Sequence, residues 1–251
     1  LLVTNDVSKL KVGKAQYAYV LDTNGNIIDD VIVYCLASDN FMLVANASNE
    51  QKVKDWIAKV RTGQIEVSDL KDAALSDARV DMALQGPAAT QCLKNIFGID
   101  VSGMKSLSFV SAKKNDLDVI ITSTGYTGAK VSYELFVHPN KAGQLWDMIL
   151  EAGKSLGIIP CGLGSRDSLR IEAGLPLYGH ELAGDFNISP FQAGYGWAVK
   201  LQKENFIGKD AIAKKINYDT EVARLKFDGG KGVRPIRQLD GVLNEAGVCI
   251  G

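Results

Sequence analysis

The stretch that most constrains this chain is the dipeptide Asn24-Gly25 and the β-branched run after it, Ile27-Ile28-Asp29-Asp30-Val31-Ile32-Val33-Tyr34. Asn-Gly tolerates positive φ at both positions and is among the strongest short-range hairpin signals. It predicts one strand over residues 16–22 and a second over residues 27–34. With strict alternation, Ile28, Asp30 and Ile32 share one face, and Ile27, Asp29, Val31 and Val33 share the other. Both faces are mostly apolar, so neither carboxylate has an obviously wet side. Burying an ionised carboxylate without partners is costly, so such groups are usually paired, hydrogen-bonded or functional. The stretch alone leaves a plainer role open, with one Asp capping the strand end or joining a salt bridge.

The chain of 251 residues has room for one large domain or two small ones. Apolar residues at 46% and charged residues at 23% are the mix of an ordinary globular protein. A net charge of -1 with no basic block argues against nucleic acid as a partner. The longest apolar run, residues 31–37, is too short to span a bilayer, which argues against a membrane. Cys35, Cys92, Cys161 and Cys249 lie far apart, which predicts buried free thiols in a reducing compartment rather than a disulfide or zinc framework. No metal site is expected. The chain begins without Met on Leu1-Leu2-Val3-Thr4 and stops on Val248-Cys249-Ile250-Gly251, so an internal fragment of a longer protein is expected.

After the hairpin, residues 41–45 read as a strand. Ser48-Asn49-Glu50-Gln51 fits a capping box for a helix carrying Val53, Trp56, Ile57 and Val60 and ending near Arg61. Residues 78–84 read as a strand, Gly86-Pro87 opens a helix with Pro at its first position, and Gly98 closes it. Residues 119–123 and 133–137 read as strands around a Gly-rich loop. Asn140 is placed to cap a helix with core face Leu145, Met148, Ile149, Ala152 and Leu156, ending at Gly157. Residues 166–173 read as a short helix closed by Gly174, and a last helix starts near Gly208. Hairpin signals dominate over parallel crossovers, which makes the fold class α+β. The Gly162-Leu163-Gly164-Ser165 segment is neither a P-loop nor a dinucleotide fingerprint.

Four stretches occur in a specific order: Thr4-Asn5-Asp6-Val7, the run 24–34, Thr124-Gly125-Tyr126-Thr127-Gly128 with Tyr133-Glu134-Leu135, and residues 162–182. Leu84-Gln85-Gly86-Pro87 lies between the second and third. Together they resemble the glycine cleavage system T-protein family of tetrahydrofolate-dependent aminomethyltransferases, over nearly the whole chain. The resemblance implies a multi-domain fold around a central folate pocket. Residues 1–207 would be the folate-binding catalytic region with its N-terminal part missing, and 208–251 the start of a truncated C-terminal β-barrel domain. It also implies transfer of a one-carbon unit from an aminomethyl group on a lipoylated H-protein to tetrahydrofolate, with release of ammonia. Such a reaction would run in the cytoplasm, or in the mitochondrial matrix of a eukaryote.

By the same resemblance Asp30 is the critical carboxylate, beside the folate nitrogen that captures a cationic one-carbon centre. Glu134 matches the pterin-binding Glu, whose two acceptor oxygens suit an amino group beside a ring N–H. Arg166 matches a folate-binding Arg whose planar fork suits a carboxylate tail or a carbonyl. Tyr126 and Tyr17 would line the pocket, and Asn46 lies at the position of a pocket-side Asn. The plainer roles are a water-facing strand edge for Glu134, a surface ion pair for Arg166, and core packing for the tyrosines. His138 and His180 lack a partner at motif spacing and read as structural. The sequence departs from the family pattern at Asn26, where Gly is common. It also departs in one residue inserted between Gly128 and Glu134, in Ala129-Lys130 in place of an acidic pair, and at Cys161. Asn26 is expected to take the left-handed conformation. Two relatives remain alternatives: a folate-dependent demethylase of dimethylglycine, sarcosine or a sulfonium compound, and a non-catalytic folate-binding protein of iron–sulfur assembly.

Overall fold

In the computed structural model, which describes residues 1–226 and 240–251, the hairpin turn is built by a side chain. The Asp22 carboxylate accepts the backbone N–H groups of Asn24 and Asn26, both at 2.8 Å, and the Asn26 amide at 3.0 Å. The turn therefore spans 22–26, and only Gly25 adopts positive φ, at 73°. Asn26 is not left-handed as expected. It braces the turn instead and accepts Nζ of Lys215 at 2.9 Å. Gly25 is required twice over, because a Cβ there would also lie 2.6 Å from the backbone nitrogen of Ile212.

The turn joins β1 (Ala15–Leu21) to β2 (Ile27–Ala37), and β3 (Asn40–Val44) completes an antiparallel sheet of order β1-β2-β3. Val20 pairs with Asp29 but Leu21 pairs with Ile27, so Ile28 is bulged out of the ladder. This corrects the expected faces. Ile27 joins Asp30 and Ile32 on one side, and Ile28 joins Asp29, Val31 and Val33 on the other. The Ile28 side packs on α1 (Glu50–Val60) through Val20, Val31 and Val53.

Asp29 sits on this second side, fully buried. It accepts the Asn46 backbone N–H and the Asn46 amide, each at 2.9 Å, and the Asn49 amide. The expected capping box, with Ser48 as its cap, does not form: the N-cap position falls on Asn49, whose amide is committed to Asp29. The helix is entered through a 3-10 turn, Ala47–Asn49, with no side-chain cap.

The second sheet, also antiparallel, has the order β4-β7-β6-β5. Its strands are β4 (Val80–Gln85), β5 (Phe109–Lys114), β6 (Leu117–Thr122) and β7 (Ser132–Val137). One face packs on α2 (Ala89–Phe97) and α3 (Ala142–Gly153) through Leu93, Ile121, Leu135, Leu145 and Ile149. Both helix starts differ from expectation. Gly86-Pro87 precede α2 by a turn. The His138 ring, not Asn140, caps the 3-10 turn before α3 by accepting the Asn140 N–H. Gly98 and Gly157 close the two helical segments in the left-handed conformation as expected. Cys35 and Cys92 are buried, whereas Cys161 and Cys249 are exposed, contrary to the expected burial of all four.

The two sheets meet where Tyr34, Ala15 and Met42 pack on Ile120 and Phe136. At the other end of the same β1–β2 face, Tyr19, Leu21 and Ile27 pack on Leu182, Ala198, Phe206 and Ile212. Between these clusters the face is left open. The helix α4 (Leu163–Ala173), closed by Gly174, and α5 (Lys209–Ala213) complete the described elements. The expected C-terminal domain at 208–251 falls partly on residues 227–239, outside the described residues. The described part carries α5 and an isolated bridge between Leu243 and Cys249. Among the described residues no helix is long and apolar enough to cross a membrane.

Two substitutions test this framework. Gly25→Ala combines left-handed strain with a backbone clash and should cost about 2 kcal/mol, lowering the Tm by about 4–8 °C. Asp29→Asn puts an NH2 in place of one accepting oxygen, facing one or two of the three donors, and should cost about 2–3 kcal/mol, read from the shift in denaturant midpoint.

Candidate functional site

The open stretch of the β1–β2 face forms one wall of a cavity of about 2470 Å³. Tyr17, Asp30, Asn46, Tyr126, Glu134 and Arg166 all line it, whereas Asp29 does not. Alternation along β2 separates the adjacent carboxylates onto opposite faces.

Asp30 is the most thoroughly held. Its Oδ2 accepts the Tyr17 hydroxyl at 2.8 Å and its Oδ1 accepts the Asn46 amide at 2.9 Å. Tyr17 lies two positions from Asp30's cross-strand partner, Tyr19, on the same face. Burial pushes the Asp30 carboxyl up to about 6. The Tyr17 hydrogen bond opposes the rise, and the neighbouring Asp29 charge adds to it. Burial and the Asp30 charge together raise the Tyr17 phenol far above its ordinary range, so it acts as a donor at any physiological pH.

Glu134 stands on β7, an inner strand of its sheet rather than an edge. The Thr124 hydroxyl donates to its Oε2, and Thr124 is itself bonded to Thr122. Arg166 projects from α4 with its guanidinium 5.3 Å from the centroid of the Tyr126 ring. Among the described residues it makes no ion pair. Tyr126 is fixed by donating its hydroxyl to the Pro176 carbonyl at 2.7 Å. Its ring is therefore a cavity wall with a tethered polar end.

Three cavity residues were not singled out by the sequence. Tyr195 and Trp197 approach the Tyr17 ring with centroids 6.2 and 5.7 Å away, extending an aromatic wall. Asp81 pairs with Phe136 on the ladder, diagonal to Glu134 on the same face. Asp81 is open to the cavity, yet crowding by the walls and the Glu134 charge push its carboxyl up, and Arg166 pulls it back. The available signal was alternation, which puts a lone acid at 81 on the face of Ala83 and Gln85. Chemically, the cavity offers a held carboxylate, an anionic pair, a cationic fork and flat aromatic walls. That set suits a flat, nitrogen-rich ligand with an anionic tail.

The family model for the GCVT N-terminal domain matches residues 1–203. An aminomethyltransferase of Halothermothrix orenii is 40% identical over 213 residues, which is 85% of this chain and 57% of that protein. One from Lysinibacillus sphaericus is 43% identical over 218 residues, 86% of this chain and 58% of that protein. The crystal structure of the glycine cleavage system aminomethyltransferase T from Bartonella henselae matches with a TM-score of 0.71 at 31% identity. It covers 86% of this chain and 56% of that one. The chain thus spans less than three fifths of the length of these relatives. With four fifths of its residues inside the matching model, the chain belongs to the GCVT N-terminal domain family.

Proposed function

We propose that the whole protein is a tetrahydrofolate-dependent aminomethyltransferase of the glycine cleavage system. It takes the one-carbon unit from an aminomethyl group on the lipoyl arm of H-protein and releases ammonia. Residues 1–207 form the folate-binding catalytic region, and 208–251 open a C-terminal β-barrel domain. The protein works in the cytoplasm, or in the mitochondrial matrix of a eukaryote. The observation that carries the proposal is the convergence of six residues from six separate segments of the chain on one cavity, with Asp30 facing in and Asp29 facing away.

The residues fit the acceptor. Tyr17, Tyr126 and Trp197 offer ring faces to a pterin and its aminobenzoyl group. Glu134, oriented by Thr124, accepts from paired N–H groups. Arg166, free of carboxylate partners among the described residues, is available to an anionic tail. Bound tetrahydrofolate supplies the nucleophilic nitrogen. Asp30 holds a negative charge at the cavity wall, where positive charge develops as ammonia leaves. Tyr17 and Asn46 fix the carboxylate's position and leave it no freedom to turn away.

Transfer from aminomethylated lipoyl carrier to tetrahydrofolate, measured with the full-length protein, tests the proposal. Asp30→Asn removes the charge at nearly constant shape and should cost roughly 3 kcal/mol, a hundredfold or more in turnover, with little change in folate affinity. Asp29→Asn should act on stability and leave turnover above pH 6 near the parent's, while loss of its charge lets the Asp30 carboxyl ionise more readily. Parent-like turnover in Asp30→Asn would remove the catalytic role. Glu134→Ala should weaken tetrahydrofolate binding in titration calorimetry, and an unchanged affinity would take Glu134 out of the site. Because the ionised form of Asp30 is required, turnover should rise with pH through a limb near 6, and that limb should vanish in Asp30→Asn.

A further inference from the structure

Glu134 reaches the cavity from a buried cluster of hydroxyls. Thr124 donates to its Oε2, and Oε1 takes no hydrogen bond among the described residues. Thr122 is the direct cross-strand partner of Glu134, and its Oγ1 is bonded to Oγ1 of Thr124. The Tyr34 hydroxyl lies 3.4 Å from the same Thr124 oxygen. Thr122, Thr124 and Tyr34 are all buried, where an unmatched proton or lone pair is costly. A hydroxyl has one proton and two acceptor sites. Thr124 spends its proton on Glu134, so Thr122 and Tyr34 must donate and Thr124 accepts from both. Its proton and both acceptor sites are then engaged, and the proton cannot swing to another partner.

We propose that Thr122 and Tyr34 hold the Thr124 proton on Glu134, making Thr124 a positioning residue that keeps Glu134 an acceptor and so sets which ligand edge the cavity takes. An edge with adjacent N–H donors matches an acceptor-only group. An edge that turns a lone pair toward that group leaves both unpaired and is rejected. Tyr34 stands on the same face of β2 as Asp30. The strand that carries the carboxylate of the proposed reaction therefore also supports the one that reads the ligand. The choice of edge rests on the reading of Glu134 as the pterin contact, but the held hydroxyl does not.

Two measurements test this. Without ligand, the Thr124 hydroxyl proton should exchange slowly enough to give a resolved NMR signal, and Thr122→Val should speed that exchange about fivefold. With ligand, titration calorimetry compares tetrahydrofolate with its analogue lacking the 2-amino group. Thr124→Val keeps the shape and should weaken tetrahydrofolate binding roughly tenfold, narrowing the discrimination between the two ligands. Thr122→Val should act in the same direction by about threefold, and Thr124→Ser should restore the parent values. Thr122→Val leaves Thr124 in place, so the test survives a Thr124→Val protein that does not fold. In a Glu134→Ala background Thr124→Val should add nothing. Parent-like discrimination in Thr124→Val or Thr122→Val would overturn the assignment. So would an undiminished effect in the Glu134→Ala background, or a Thr124 proton that exchanges like an exposed one. A slow Thr124 proton in a parent that binds no tetrahydrofolate would overturn the proposed function and leave the held hydroxyl standing.

Discussion

One side-chain amide holds the strand on which the cavity depends. Asn46 donates through Nδ2 to Asp29 and Asp30 at 2.9 Å each, and its backbone N–H adds a further bond to Asp29. Two neighbouring carboxylates on one strand repel each other, and alternation can only send them to opposite faces. Asn46 stands at the end of β3, where it reaches around to both. The amide thereby ties the buried side, where the sheet meets α1, to the cavity side, where Tyr17 completes the grip on Asp30. A shift of Asn46 would disturb the core and the site together.

The two carboxylates carry different energetic weight. Asp29 is fully buried and its pKa is raised, by burial that outweighs its bonds from Asn46 and Asn49. For Asp30 the shift from an ordinary 3.8 to about 6 can be followed through linkage. The folded state binds this proton more tightly than the unfolded chain does. The group therefore favours folding most below about pH 4, and that advantage is lost as pH rises through about 6. Two units correspond to about 3 kcal/mol, borne by the fold whenever Asp30 is ionised. The apolar clusters on either side of the cavity must offset it. Activity in the proposed reaction and maximal stability would thus lie on opposite sides of pH 6.

Much of this was legible because period and punctuation are local. The hairpin and the helices ending at Gly98 and Gly174 follow from alternation and glycine placement, whereas the six cavity residues were named through the family resemblance that the ordered motifs carry. The departures have physical causes that local pattern does not carry. The bulge at Ile28 exchanges the faces of Ile27 and Ile28, and strict alternation cannot anticipate it. Ser48 reads as the cap of a capping box, but the N-cap position falls on Asn49, whose amide is committed to Asp29, twenty residues away. β5 escaped notice because it is a solvent-facing edge strand on which only Ala112 is buried. Asp81 and Tyr19 look like ordinary strand residues until pairing sets them beside Glu134 and Asp30.

Two arginines one turn apart on α4 show how the cavity separates structural charge from available charge. Arg170 is buried and bonded to Asp167 at 2.7 Å and to Glu181 at 2.5 Å. Glu181 also accepts the Leu177 N–H, so this ion pair fastens α4 to the segment that follows it. This guanidinium is buried and outside the cavity lining, and removing one partner would strand a buried charge. Arg166 lies on the cavity side, exposed, with a ring face beneath it and no carboxylate partner among the described residues. Stacking restrains its direction without using its five donors. The helix is anchored by the buried arginine paired with two carboxylates, and that anchor leaves the other to meet an anion entering the cavity.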